Sequence, residues 1–167
     1  MSKILVTGGS GLVGRGFIGN RFDKINSKYG DLRDPDFVSR IVQGSNYEGI
    51  IHCAARVGGI AGNMKNPGSY FYDNIMMNSL LIEEARKKDI KKMVIFSSTC
   101  VFPDKVEYPL TPEKIHLGPP HNSNYAYAYA KRMGIVQAKA YRDQYGLNYF
   151  CVIPCNIYGP VSYTHLR

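Results

Sequence analysis

Short apolar runs alternate with helical segments along this chain, and that alternation most narrows what it can fold into. Lys3 to Thr7 reads as a buried strand bounded by glycine, and residues 11–19 leave room only for a short helix. Phe22 to Asn26 is a weak second strand. Residues 34–42 form a helix, with Asp34 as N-cap and Pro35 in the first helical position. Gly49 to Ala55 is the next buried strand. Asn66 and Pro67 open a long helix reaching about Lys88, with apolar residues at Phe71, Ile75, Ile82 and Ala85 and one polar exception, Asn78. Lys92 to Ser97 is a strand. Residues 102–123 hold five of the nine prolines, so this stretch is an irregular loop. Residues 125–129 (Tyr-Ala-Tyr-Ala-Tyr) alternate like a strand, but the alanines and the Lys-Arg-Met that follows favour a helix from Asn124 to Tyr145, stopped by Gly146. Asn148 to Ile153 is the last strand, ended by Pro154. Strands joined through helices pair in parallel, so the expected fold class is α/β, an open doubly wound parallel sheet.

At 167 residues the chain buries one full-sized core. No apolar run reaches the roughly 18 residues a membrane span needs. The first strand begins at Lys3, which leaves no room for a signal peptide, and cytoplasmic localisation is expected. Cys53, Cys100, Cys151 and Cys155 lack paired metal-site spacing, so reduced thiols and no metal are expected. The formal charge of +8 raises the question of a nucleic-acid partner. Lys87, Lys88, Lys91 and Lys92 instead cluster around one helix C-terminus, where cations suit the dipole, and no basic stripe carries interleaved aromatics. An anionic nucleotide is the better match, with neither nucleic acid nor membrane as partner.

Thr7-Gly-Gly-Ser-Gly-Leu-Val-Gly14 follows a strand and opens a helix. Gly8 permits the tight turn, Gly11 lets the backbone approach a pyrophosphate, and Gly14 lets the helix pack against the sheet. Asp31 and Leu32 either approach an adenine from the neighbouring strand end or form a helix-capping loop. Ser27 and Lys28 follow the second strand, where a ribose 2′ position is read. A Ser-Lys pair suits a 2′-phosphate, and a solvated surface lysine is the alternative; Asp23 takes the acidic role if the strand boundary shifts. Ala54 and Ala55 end the third strand, either to let a cofactor lie close or for packing alone.

Ser98 and Cys100 follow the apolar run 92–97, and Tyr127 and Lys131 sit at i, i+4 on one helix face. An ammonium beside a phenol lowers the phenol's pKa, so such a tyrosine passes protons to a carbonyl oxygen near neutral pH. This set with the glycine turn resembles the extended short-chain dehydrogenase/reductases, whose nucleotide domain is Rossmann-like. Arg56-Val-Gly-Gly-Ile, Ser98-Thr-Cys-Val-Phe-Pro-Asp-Lys105, Gly118-Pro-Pro-His-Asn-Ser-Asn124 and Pro154-Cys-Asn-Ile-Tyr-Gly-Pro160 narrow the resemblance to the GDP-L-fucose synthase family.

That resemblance implies epimerisation of GDP-4-keto-6-deoxy-mannose at carbons 3 and 5, then reduction at carbon 4 with NADPH. By the motif, Cys100 moves the carbon 3 and 5 protons. Tyr127 protonates the carbon 4 oxygen, Lys131 lowers the Tyr127 pKa and holds the ribose, and Ser98 hydrogen-bonds the reacting oxygen. Leu12, Val13 and Pro154 join the cofactor set, and Asn156 contacts substrate. His116 and His121 are read as surface residues. The resemblance also implies a homodimer through helices 67–88 and 124–145, with Phe71, Met76 and Met77 on the paired face.

The segment from Gly14 to Asp31 is shorter than the family has, which makes the first helix short and the second strand uncertain. The expected division is a nucleotide-binding domain over 1–160 and a non-native-looking tail over 161–167, with the substrate domain absent and turnover lost. One rival is another nucleotide-sugar epimerase or dehydratase, but a dehydratase needs an acidic pair where Cys100 and Val101 stand. The other is a non-catalytic dinucleotide sensor, which would keep the glycine turn and lose the Tyr-Lys pair.

Overall fold

The computed structural model describes residues 2–159. Five parallel strands form one sheet in the order β2-β1-β3-β4-β5. They are β1 (Lys3–Thr7), β2 (Phe22–Ile25), β3 (Tyr47–His52), β4 (Lys92–Phe96) and β5 (Asn148–Val152). The helices between them are α1 (Leu12–Arg15), α2 (Pro35–Gln43), α3 (Ile60–Lys65), α4 (Pro67–Lys87) and α5 (Tyr125–Tyr145). The chain steps outward from β1 to β2, then crosses back over β1 to β3. Right-handed crossovers therefore put α1 on one face and α2, α4 and α5 on the other. The order reverses beside β1, and in open α/β sheets ligands bind at such a switch point, outside the carboxyl ends of the strands.

The two sheet faces differ. Leu5, Ile50, Met93 and Tyr149 form one row across four strands, and all are buried under α2, α4 and α5. The adjacent row, Val6, Ile51, Val94 and Phe150, grades from buried to exposed, with Phe150 42% accessible. Burying the first row and the helix residues Phe37, Val38, Leu81 and Ile82 against it supplies most of the hydrophobic drive, on the order of 1.5–3 kcal/mol per large side chain.

Several local expectations have visible causes. Asp34 caps α2 through the Asp36 amide, and Pro35 takes the first turn. Gly146 closes α5 in the left-handed conformation, its N–H donating to the Arg142 carbonyl. Four differences stand out. The first helix is only four residues long. β3 begins two residues earlier than expected, since Tyr47 pairs with Lys3, and ends at His52 rather than Ala55. The proline-rich loop contains 3-10 turns at Pro112–His116 and Asn122–Asn124. Helix α3 is additional; its glycines hid it, and the Tyr70 hydroxyl packs against Gly58 and Gly62. Asn78, the polar exception on α4, is buried and its amide oxygen bonds His52 Nε2 at 2.9 Å.

Candidate active site

The glycine turn is held by backbone contacts that side chains would break. Gly8 has φ +70°, and a Cβ there would lie 2.7 Å from the Ala54 nitrogen. A Cβ on Gly14 would run into the Gly8 carbonyl and lie 2.7 Å from Gly9 Cα, so α1 presses directly on the turn. Gly11 is different: a Cβ there meets only the Gly8 oxygen, at 3.3 Å, and otherwise open space. Beneath the turn runs a buried polar chain. The Asn78 amide oxygen accepts from His52 Nε2 at 2.9 Å, and His52 Nδ1 accepts the Thr7 hydroxyl at 2.7 Å. Burial, helped by the Lys131 charge, pushes His52 down to about 3, so the imidazole is neutral, with one ring nitrogen donating and the other accepting.

Beside the turn opens a cleft of about 800 Å3. Its walls include Gly8, Gly11, Leu12, Val13 and Gly14 from the turn and α1. Ser27, Asp31 and Leu32 close the β2 side, and Ala54 and Ala55 the β3 side. A dinucleotide of extended shape fits this volume, and unpaired N–H groups at the start of α1 suit a pyrophosphate. Lys28 is exposed and lies outside the lining, as do Lys131 and Pro154.

Three charged lining residues had no role assigned from the sequence: Arg33, Arg56 and Asp73. Arg33 Nε donates to Asp31 Oδ1 at 2.9 Å, while its Nη1 donates to Asp73 Oδ1 at 2.6 Å. Arg56 pairs with the other Asp73 oxygen and lies 5.0 Å over the Tyr70 ring. This bracket ties the α2 entry, the β3 exit and α4 together across the cleft. Burial raises the Asp73 pKa, but the hydrogen bonds from Arg56 and Arg33 outweigh it and hold the carboxyl below its ordinary value. A depressed carboxylate stabilises the fold fully above its ordinary pKa of about 3.9 and loses that contribution as pH falls. Chemical denaturation of Asp73→Asn is therefore expected to show lower stability than wild type at neutral pH. The two curves should converge as the pH falls from the ordinary carboxylate value through the lowered one. Parallel curves would mean that Asp73 is not coupled to the two arginines.

The second cluster lies where β4 ends. Ser98 caps the 3-10 turn Thr99–Val101, its hydroxyl accepting from the Cys100 amide at 3.3 Å. Asn124 Nδ2 donates to Cys100 Sγ at 3.1 Å. Tyr127 and Lys131 share the buried face of α5, 8% and 3% accessible. Lys131 Nζ donates to the Phe96 carbonyl at 2.9 Å, and Arg132 Nε to the Val101 carbonyl at 2.6 Å, so α5 grips both ends of this segment.

The electrostatics correct one expectation. Tyr127 is not lowered. Burial, then the Cys100 charge, pushes it up to about 12, and the Ser98 hydrogen bond only partly opposes this. Spacing places Lys131 on the same face, but its ammonium goes to Phe96, and burial pushes it down to about 8. Burial also pushes Cys53 up to about 12 and Cys151 to about 11, each opposed by Lys131, so neither thiol is poised to react. Cys53 lines the large cleft and feels the Lys131 charge.

After β5 the chain turns back toward the glycine turn. Pro154 is half-buried, Asn156 is exposed, and Gly159 approaches Leu12. His116 and His121 are exposed, as expected. Residues 160–167, on which the reading of a non-native tail rests, lie outside the described residues.

A glycine turn, a switch-point cleft and a buried Tyr-Lys helix face thus belong to one parallel-sheet framework. The sequence profile of the NAD dependent epimerase/dehydratase family matches residues 4–166. The chain belongs to the NAD dependent epimerase/dehydratase family. Within it, the chain is 45% identical to the GDP-L-fucose synthase of Dictyostelium discoideum, over 98% of this chain and 54% of that protein. It is 40% identical to the probable GDP-L-fucose synthase of Drosophila melanogaster, over 96% of this chain and 53% of that protein. A solved GDP-L-fucose synthetase from Naegleria fowleri bound to NADP superposes with a TM-score of 0.83 at 41% identity, covering 95% of this chain and 55% of that one. The chain thus spans about half the length of the curated relatives it matches.

Proposed function

We propose that this chain forms the nucleotide half of a GDP-L-fucose synthase, which epimerises GDP-4-keto-6-deoxy-mannose at carbons 3 and 5 and reduces carbon 4 with NADPH. The observation that carries this reading is a cysteine, Cys100, grouped with Ser98 and Tyr127 after β4, the strand paired with β3, whose exit lines a dinucleotide-sized cleft. A plain 4-epimerase has no use for a thiol there, and a dinucleotide sensor has none for a buried Tyr127-Lys131 pair.

The glycine turn, Leu12, Val13, Ala54 and Ala55 would hold the dinucleotide, with Asp31 and Leu32 at its adenine and Lys131 and Pro154 toward the other end. When bound, NADPH supplies a hydride to carbon 4. Protons on carbons 3 and 5 are acidic because they flank the ketone; Cys100 takes them, and an acid in the remaining half would return a proton to the opposite face. Ser98 hydrogen-bonds the carbon 4 oxygen and Tyr127 gives it a proton. A phenol held near 12 is fully protonated at neutral pH, which is the form a proton donor needs. Asn156 meets the substrate once the remaining half is present.

Cofactor preference tests the adenosine end. Ser27 lines the cleft and Lys28 follows it, while the charges of Arg33 and Arg56 are already matched by Asp31 and Asp73. NADPH is expected to bind about 10–100-fold more tightly than NADH, the range of charge-assisted hydrogen bonds to a phosphate. Lys28→Ala should narrow the gap in a fluorescence titration; equal affinities, unchanged by the substitution, would remove Ser27 and Lys28 from the site.

The assembly we propose is a homodimer through α4 and α5, in the cytoplasm. Phe71, Tyr72, Tyr129, Met133 and Val136 are exposed along these helices. Met77, expected on that face, instead packs into the core and lines the cleft.

The reading is tested in a chimera joining residues 1–159 to the remaining half of the Dictyostelium relative. The expected result is NADPH oxidation that depends on GDP-4-keto-6-deoxy-mannose and yields GDP-L-fucose. NADPH binding without this turnover, in a folded chimera, would count against it. The 167-residue chain alone is expected to bind NADPH and turn over nothing.

A further inference from the structure

We propose that Asn124 is a positioning residue for the Cys100 sulfur: its amide nitrogen holds the sulfur while its amide oxygen is offered to a hydroxyl of the bound sugar. The inference rests on the reading of Cys100 as the group that moves substrate protons.

Asn124 ends the 3-10 turn Asn122–Asn124 and immediately precedes α5. Cys100 lies 24 residues earlier, in the 3-10 turn after β4, and Asn124 Nδ2 donates to Sγ at 3.1 Å. A neutral thiol is a weak acceptor and a thiolate a strong one. The bond therefore strengthens as negative charge gathers on sulfur, which is when proton removal needs it. It also fixes where the sulfur points, since Arg132 already anchors the next carbonyl, that of Val101.

The other end of the amide supplies an independent observation. Asn124 Oδ1 is buried without a hydrogen-bond partner, and so is Asn63 Oδ1, on a side chain only 6% accessible. Asn63 and Asn124 line one cleft of about 190 Å3 between α3 and the start of α5. Two buried carbonyl oxygens at one cleft call for O–H donors, and a hexose ring presents several. Asn124 thus joins the sulfur to the place where a sugar hydroxyl satisfies these acceptors.

Beside the Cys100 turn, α5 carries Tyr127, Lys131 and Arg132, with Tyr125 and Tyr129 on the same turns, and His121 precedes the Asn122–Asn124 turn. All remain when Asn124 is changed, so a change in sulfur chemistry reports the amide.

The test is alkylation of Cys100 by iodoacetamide in the 167-residue chain, followed by peptide mass spectrometry across neutral to alkaline pH, with exposed Cys155 as the internal reference. In Asn124→Ala, the ratio of the Cys100 rate at neutral pH to its rate at alkaline pH should fall about tenfold, as expected for losing a hydrogen bond to a charged group. Cys155 should not change. Asn124→Asp keeps the shape, removes the donor and adds like charge, so it should show at least the same loss. It also serves if the alanine variant does not fold. An unchanged ratio in a folded variant would overturn the proposal. Alkylation reads the sulfur whether or not it acts on substrate. Failure of the underlying reading would show separately, as substrate proton exchange that persists in Cys100→Ser.

Discussion

Tyr127→Phe is expected to slow reduction of the carbon 4 ketone by about 10²–10⁴-fold, the usual contribution of a positioned proton donor, while leaving NADPH affinity unchanged. The phenol is 8% accessible and close to Ser98, so removing its hydroxyl deletes the proton without opening the site. The pH profile of the wild-type reduction should be flat through neutrality, because Tyr127 stays protonated to about 12. Stopped-flow single turnovers in the chimera separate this chemical step from binding. Loss of NADPH affinity in Tyr127→Phe, with hydride transfer unaffected, would assign the residue to binding instead.

Gly14→Ala carries the second large effect. The added methyl would meet only backbone: the Gly8 carbonyl and Gly9 Cα, 2.7 Å away. Backbone cannot swing aside as a side chain does, so the turn itself must move, at a cost of about 1–3 kcal/mol for overpacking. Both the unfolding midpoint and NADPH affinity should drop, the latter by about 10–100-fold on the same cost. Gly11→Ala separates the two, because its methyl meets one oxygen at 3.3 Å and otherwise enters the cleft. That variant should lose affinity and keep its midpoint. If Gly14→Ala binds NADPH normally, the turn does not cradle the pyrophosphate.

What the sequence revealed follows from the range of the forces involved. Asp34-Pro35 and Gly146 mark helix ends because caps and left-handed turns are local, and the Tyr127-Lys131 spacing is legible because i, i+4 residues share a face. The same spacing misled on the Tyr127 pKa. It does not say that the face is buried, nor that the Lys131 ammonium is taken by the Phe96 carbonyl 35 residues away. Arg33 and Asp73, 40 positions apart, meet only once α2 and α4 pack, so no window of sequence displays the pair. The adjacency of Arg33 to Asp31-Leu32, and of Arg56 to Ala54-Ala55, was the available signal. Helix α3 was hidden because Gly58, Gly59 and Gly62 depress helix propensity, while the packing that favours it comes from Tyr70 on the next helix.

The central claim is that Cys100 moves the protons flanking the ketone before Tyr127 completes the reduction. Its most direct test is proton exchange into GDP-4-keto-6-deoxy-mannose in deuterated water, followed by nuclear magnetic resonance in the chimera with NADP+ bound. Deuterium should enter carbons 3 and 5 with wild type and with Tyr127→Phe, and should fail to enter with Cys100→Ser although that variant still binds cofactor. Exchange at the wild-type rate in Cys100→Ser would contradict the account and leave the thiol a structural residue at the end of β4.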